Sequence, residues 1–269
     1  LEANGMGDGI TFNDSVFTSA IDTVTTLNVG MQNISDLAGI EDFTALEILD
    51  CNKNNLSSLD LSSNLSLVSL SATENQLTSL NVSNNINLTF LGCEVNQLTS
   101  LDISNNIYLE ELACEDNQLI SLNVNNNGLL DNLFCSYNNI SQLDLSQCPL
   151  LEKLECSYNQ LINLDVSNNT ALDEIDCRHN QITSLNVSQN TFLKELTCND
   201  NQITSIDVSN NIELIELNCY DNQLTCLDVS NNNSLISLYC ENNLLDQLNF
   251  KNGNWLNIAE LDATDNNLL

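Results

Sequence analysis

Apolar side chains recur along this chain at a fixed spacing of 21 residues. The leucines that open ten successive units are Leu46, Leu67, Leu88, Leu109, Leu130, Leu151, Leu172, Leu193, Leu214 and Leu235. Val24 opens an earlier unit of 22 residues, and Ile258 opens a last unit after an insertion of two residues near 251–255. A period in this range predicts a repeat solenoid, because one coil cannot bury its own leucines and is covered by the next.

Both halves of each unit repeat the same apolar alternation. The constant types in one representative unit are Leu109, Leu112, Cys114, Asn117, Leu119, Leu122, Val124 and Asn127. Alternation with period 2 predicts short strands in a parallel sheet, and neither half has the periodicity of a helix. We therefore expect a right-handed, β-rich solenoid of twelve coils, about 55 to 60 Å long at the usual strand spacing. It should have a parallel sheet on the concave face, short extended or β segments on the opposite side, and little helix.

Asparagine occupies one position of every unit from Asn54 to Asn266. A carboxamide has both donors and an acceptor, so a buried column can satisfy the backbone groups of a turn. We predict a structural role for this column. The second turn, which contains Asn168, is expected to be more exposed.

Nine of the eleven cysteines share one framework position: Cys51, Cys93, Cys114, Cys135, Cys156, Cys177, Cys198, Cys219 and Cys240. Ala72 fills the same position in another unit, so the position requires a small apolar side chain and a free buried thiol meets that need. Cys148 and Cys226 lie about four coils apart, too far to form a disulfide. Cys148 replaces an asparagine of the second turn beside Pro149, which indicates a local adjustment of that turn.

These features resemble the leucine-rich repeat superfamily, in particular its bacterial extracellular members with nested 21-residue repeats. The resemblance covers the chain from Val24 onward, and residues 34–46 look like a 22-residue unit of internalin-type surface proteins. It implies recognition of a protein, or less often of a glycan, through the sheet face. It also implies a secreted or cell-surface location, and it implies no reaction.

The domain prediction follows from where the repeats begin. Residues 24–269 form the leucine-rich repeat solenoid, whose last unit looks cut short, and residues 1–23 form an N-terminal capping segment. Residues 3–14 resemble a degenerate calcium loop, in which the early ligand positions fall on Ala3, Gly5 and Gly7. We expect a cap there and no bound metal.

The charge balance limits the partners. Asp and Glu number 37 against 5 Lys and Arg, giving a net charge of −32 that repels nucleic acid and anionic membranes. No apolar run approaches the length of a membrane span, which is about 20 residues. We expect a monomer without a cofactor that does not insert into membranes. The single histidine has no thiol or acid at a familiar catalytic spacing, so the chain is not expected to be an enzyme.

The informative exceptions lie on variable positions of the predicted strand. Tyr137, Tyr158 and His179 occupy one position in consecutive units, two residues after the framework cysteine. Aromatic and arginine enrichment is typical of the centres of binding surfaces. The predicted patch comprises Phe134, Tyr137, Lys153, Tyr158, Arg178 and His179. The alternative is that the rings stack on one another and only support the edge of the sheet.

Two further surfaces bear on function. Glu110, Glu111, Glu115 and Asp116 form an acidic cluster that suits a cation, a basic partner or plain solvation. The opposite side carries mostly Ser, Thr, Asp and Asn and is interpreted as scaffold. The sequence thus predicts a non-catalytic extracellular module that binds a protein in an adhesion-type role. A carbohydrate-binding module is the alternative, and an ice-organising or water-organising threonine face is a minor one.

Overall fold

The computed structural model describes residues 18–250 and 258–267 of the 269-residue chain. The predicted calcium-like loop at 3–14 and the insertion near 251–255 lie outside the described residues. The described part of the chain has one short helix, α1 (Thr18–Ile21), and one 3₁₀ turn (Ile40–Asp42). No helix in that part is long and apolar enough to cross a bilayer.

One parallel sheet runs the length of the described chain. Its twelve strands are β1 (Thr26–Asn28), β2 (Ile48–Asp50), β3 (Ser69–Ser71), β4 (Phe90–Gly92), β5 (Glu111–Ala113), β6 (Asn132–Phe134), β7 (Lys153–Glu155), β8 (Glu174–Asp176), β9 (Glu195–Thr197), β10 (Glu216–Asn218), β12 (Ser237–Tyr239) and β14 (Glu260–Asp262). Each strand pairs with the equivalent positions of the next coil, as Leu112 does with Leu133. The twelve strands are joined by about eleven turns of the chain, which agrees with the predicted fold class.

The opposite side is extended chain with little pairing. Only β11 (Cys226–Asp228) and β13 (Gln247–Asn249) form a ladder there within the described residues, and Asp60 and Leu164 make isolated bridges to the next coil. The predicted short extended or β segments are therefore present. Between the two sides, the framework leucines pack as one continuous core, and most of them are fully buried.

The cysteine column lies inside this core. All nine framework cysteines are buried and free, as predicted, and Cys148 is also buried and free. Cys226 is exposed on β11. Burial raises the pKa of the Cys51 thiol to about 12, so the column behaves as apolar packing and not as a set of reactive thiolates.

The turns that follow the sheet strands form what we call the first edge of the solenoid. Here the Asn159 carboxamide accepts a hydrogen bond from the N–H of Ile140 at 2.9 Å. Its Nδ2 atom donates to the carbonyls of Cys135 at 3.0 Å in the preceding coil, and of Cys156 at 3.2 Å in its own. The other asparagines of this column make equivalent bonds, which confirms the predicted structural role.

The turns that lead back into the sheet form the second edge, where Asn168 is exposed as expected but a buried neighbour was not foreseen. The asparagine in register with the column is that neighbour, Asn169, which is completely buried. Asn169 donates to the carbonyls of Leu145 at 3.0 Å and Cys148 at 2.7 Å in the preceding coil. Cys148 takes the same place one coil earlier, with its Sγ atom 3.7 Å from the carbonyls of Val124 and Asn127.

Candidate binding surface

The residue before each first-edge asparagine has a left-handed backbone. This column, with φ between 48 and 54°, contains Lys53, Glu74, Val95, Asp116, Tyr137, Tyr158, His179, Asp200, Asp221, Asn242 and Asp265. Each sheet strand ends before the framework cysteine. Tyr137, Tyr158 and His179 therefore lie in the turn, whereas the sequence pattern predicted that they lie on the strand. The chain reverses at this point, and one left-handed residue per coil provides the change of direction.

The three rings of this column stack along the first edge. The ring centroids of Tyr137 and Tyr158 are 4.2 Å apart with an interplanar angle of 10°. Those of Tyr158 and His179 are 4.1 Å apart with an angle of 28°. Because the rings repeat at the coil spacing, each inner face is covered by its neighbour, and the stack exposes ring edges and hydroxyl groups.

Arg178 places a cation against this stack. Its guanidinium carbon lies 6.0 Å from the centroid of the Tyr158 ring, at the outer limit of a cation–π contact. Its Nε atom is 3.4 Å from Oδ2 of Asp176, and Nε2 of His179 is 3.4 Å from Oδ2 of Asp200. Burial raises the pKa of Asp176, against the opposing effects of the Arg178 N–H and charge. Asp176 therefore contacts Arg178 beside the middle ring, and Asp200 contacts the His179 end of the stack.

The remaining two predicted site residues are placed differently. Phe134 is the last residue of β6, half-buried on the sheet face between Ala113 and Glu155 of the adjacent strands. Lys153 begins β7, at the other end of the strand from the turn that carries Tyr158, and its Nζ atom is 2.9 Å from Oε2 of Glu174. The structure thus brings four of the six residues into one cluster, with Phe134 beside it and Lys153 apart.

Two serines that sequence reasoning missed lie next to the stacked tyrosines. Ser136 and Ser157 precede Tyr137 and Tyr158 and are both buried. The Ser157 hydroxyl is 2.9 Å from that of Ser136, and the Ser157 N–H donates to the same oxygen at 3.1 Å. Small side chains one residue before adjacent rings were the available signal. These bonds tie together the two coils that carry the tyrosines.

The acidic cluster divides into separate environments. Glu110 is exposed where its strand begins, whereas burial raises the pKa of Glu115 to about 7, with the charges of Glu94 and Glu155 adding to the effect. Glu94 in turn accepts a hydrogen bond from the Thr73 hydroxyl at 2.6 Å. Among the described residues, no group of His, Cys, Asp and Glu side chains has the geometry to hold a metal ion.

Comparison with known proteins identifies the fold. No protein-family model matches this sequence, and no curated protein sequence does either. Among solved structures, the chain is similar to the functional domain of InlJ from Listeria monocytogenes, which includes a cysteine ladder. The two are 37% identical over 93% of this chain and 55% of that one, with a TM-score of 0.90. This chain therefore spans about half the length of that InlJ structure.

Two further structures extend the likeness. An internalin, InlF, also from Listeria monocytogenes, is 23% identical over 100% of this chain and 89% of its own, with a TM-score of 0.78. YopM, a leucine-rich effector protein from Yersinia pestis, is 25% identical over 85% of this chain and 62% of its own, with a TM-score of 0.70. The structural neighbours are thus internalins and other leucine-rich repeat proteins, and the fold is that of a leucine-rich repeat solenoid.

Proposed function

We propose that this chain is a non-catalytic extracellular recognition module that binds a protein partner through the first-edge end of its sheet face. The observation that carries the proposal is the stack of Tyr137, Tyr158 and His179, with Arg178 beside it. Tyrosine and arginine are the residues that most often dominate the energy of a protein interface. Leucine-rich repeat folds are typical of protein-interaction modules, and the internalin neighbours favour a secreted or surface location.

The ring geometry favours a protein over a glycan. A sugar that stacks on a tyrosine needs an open ring face, and both faces of Tyr158 are covered by its neighbours. The exposed ring edges and hydroxyl groups suit the mixed polar and apolar surface of a protein. The minor alternative was an ice-organising or water-organising threonine face on the opposite side. It loses support, because Ile120 and Ile162 take the place of threonine in two coils, with exposures of 68% and 52%.

The experiment compares the parent chain with Tyr158→Asn. Asn242 already occupies the same position in another coil with the same left-handed backbone, so the variant keeps the turn. Extracts of candidate surface proteins and a glycan array are probed in parallel with the two chains. We expect a captured protein whose affinity falls about tenfold or more with Tyr158→Asn, as for a central aromatic anchor.

Two controls complete this test. Ser184→Ala, on the opposite side, should change nothing. The stability of Tyr158→Asn needs its own measurement, because the variant loses two ring contacts, each contributing about 0.5–1.5 kcal/mol. An unchanged affinity for the captured protein, or a glycan as the tightest ligand, would contradict the proposal.

A further inference from the structure

A second exposed surface runs along the second edge of the solenoid. Apolar side chains follow the buried asparagines there in coil after coil, with exposures between 42% and 59%: Ile86, Ile107, Leu129, Leu150, Phe192 and Ile212. The asparagine bonds to the preceding coil, such as Asn127 Nδ2 to the Asn106 carbonyl at 2.8 Å, keep successive coils in register. These side chains, called the apolar stripe below, occupy one of two neighbouring positions before the framework leucine in each coil from Ile86 to Ile212, except in the coil of Thr170 and Ala171. Exposed apolar side chains that cluster on one edge are typical of an interaction site.

A column of carboxylates borders this stripe where each sheet strand begins. Glu110, Asp131, Glu152 and Asp173 occupy the same position in four consecutive coils. Their backbones are hydrogen-bonded in register, with the Asp131 N–H on the Glu110 carbonyl at 2.8 Å and the Glu152 N–H on the Asp131 carbonyl at 2.7 Å. Lys194 pairs with Asp173 at 3.0 Å, and the other three make no ion pair with the described residues. Like charges at this spacing repel one another.

The Asp and Asn column of the opposite side has no run of four acidic residues. This column mixes Asp with Asn, as in Asp60, Asn81 and Asp102, and at most two carboxylates are adjacent. Three of the four carboxylates beside the sheet strands lack a cationic partner among the described residues, and they lie beside the exposed apolar stripe. The isolated molecule is therefore destabilised in two ways: by repulsion between charges and by exposure of apolar surface. A partner that carries both cationic and apolar groups relieves both.

We propose that the second edge is a docking surface for a basic amphipathic segment of a partner protein. A second copy of this chain does not fit, because each copy would bring the same carboxylates and a net charge of −32. An anionic membrane is repelled for the same reason. The surface lies on the other edge from the ring stack, so it is independent of the proposed function.

The test uses two synthetic peptides of equal length and composition. Both contain Leu and Lys in about 20 residues, a helix of about 30 Å. One segregates Leu and Lys on opposite helix faces, and the other scrambles them. The peptides are titrated into the parent chain and into the triple variant Ile107→Thr, Leu129→Ser, Leu150→Ser. Thr170 and Ser66 already occupy these positions in other coils, so the variant keeps the fold.

We expect the amphipathic peptide to bind the parent at least about tenfold more tightly than the scrambled one. The triple variant should lose that difference, while Tyr158→Asn should keep it. Equal binding of both peptides would reduce the effect to charge alone and overturn the proposal. If Tyr158→Asn lost binding and the triple variant kept it, the peptide would bind at the ring stack, and the proposal would be overturned as well. If sedimentation showed that the parent chain is a dimer and the triple variant a monomer, the second edge would bind a second copy of this chain, and the proposal would be overturned.

Discussion

Both edges of this solenoid use a column of asparagines to bond backbone groups of the turns, but the asparagines of the second edge make fewer hydrogen bonds. At the first edge, Asn159 uses both ends of its carboxamide, and it remains 8% exposed. At the second edge, Asn169 is fully buried, yet it uses only its donor end. Within the described residues, eight second-edge asparagines have a buried Oδ1 atom without a hydrogen-bond partner. The first-edge column is unbroken, whereas Cys148 interrupts the second. The number of bonds made, more than the degree of burial, thus decides how strictly asparagine is required.

The largest expected effect separates the two edges directly. Asn159→Leu leaves the N–H of Ile140 buried without an acceptor, and it removes the donor to Cys135 and Cys156, so we expect a loss of about 3 kcal/mol. Asn169→Leu should cost only about 1 kcal/mol, because no N–H loses its acceptor and an unpartnered oxygen is removed. Urea unfolding of both variants measures this difference. Exposed Asn168→Ala is the control and should change nothing; an equal loss at 159 and 169 would contradict the comparison.

The carboxylates of the two sides should respond to pH in opposite directions. Burial holds the pKa of Glu115 at about 7, against 4.5 for an ordinary Glu, so between these values the folded chain binds an extra proton and loses stability as pH rises. On the opposite side, hydrogen bonds from Ser104 lower the pKa of Asp102, whose contribution is lost as pH falls through that lowered pKa.

Glu115→Gln isolates the first of these effects. We expect the variant to be more stable than the parent by about 1 kcal/mol at about pH 8, allowing for solvent screening, and the difference to disappear near pH 4. Thermal melting across this range is the measurement. Asp102→Asn is the matched variant at the opposite side, and it should lose stability relative to the parent at the high-pH end. A Glu115→Gln gain that persists at low pH would show that ionisation is not its cause.

A substitution in the left-handed column of the first edge should have a smaller effect and should raise the stability of the chain. Val95 is a β-branched residue at φ 51° and is 45% exposed, so it bears backbone strain with little packing in return. Val95→Asn introduces the residue that Asn242 already places at this position, and it should raise stability by about 0.5–1 kcal/mol. Chemical denaturation measures the gain. Asn242→Val should reverse it, and a loss in Val95→Asn would reveal packing that outweighs the strain.

Sequence reasoning succeeds where period and residue type agree. Leu112 and Leu133 repeat without variation, so their pairing across the sheet follows from the period alone, as does the buried position of Cys114. It fails where a conformation has no residue signature. The left-handed column holds Lys, Val, Tyr and Asp but no glycine, so the sequence pattern predicts a strand that continues through Tyr158, where the structure has a turn.

The second edge is harder to predict for a related reason. In the pair Asn168 and Asn169 the two side chains are identical in type, and only their register with Cys148 and Asn127 shows which one is buried. The apolar stripe is hidden in the sequence because Ile107 lies just before the framework Leu109 and looks like part of the core. Exposure depends on the direction of the chain in the turn, which the alternation of residue types does not encode.

The smallest effect tests whether Cys148 is a weakened member of the second-edge column. Its thiol offers one poor donor to the carbonyls of Val124 and Asn127, where asparagine in other coils offers two good ones. Cys148→Asn should therefore raise stability by about 0.5 kcal/mol, since two stronger hydrogen bonds form while one new Oδ1 atom is buried without a partner. Cys148→Ala removes the donor and should lower stability, so the order Asn, Cys, Ala in urea midpoints is the expected result. If the Cys148→Asn variant were less stable than the parent, the adjacent Pro149 would have altered the turn so that the carboxamide no longer fits, and the second edge would tolerate Cys for reasons of shape.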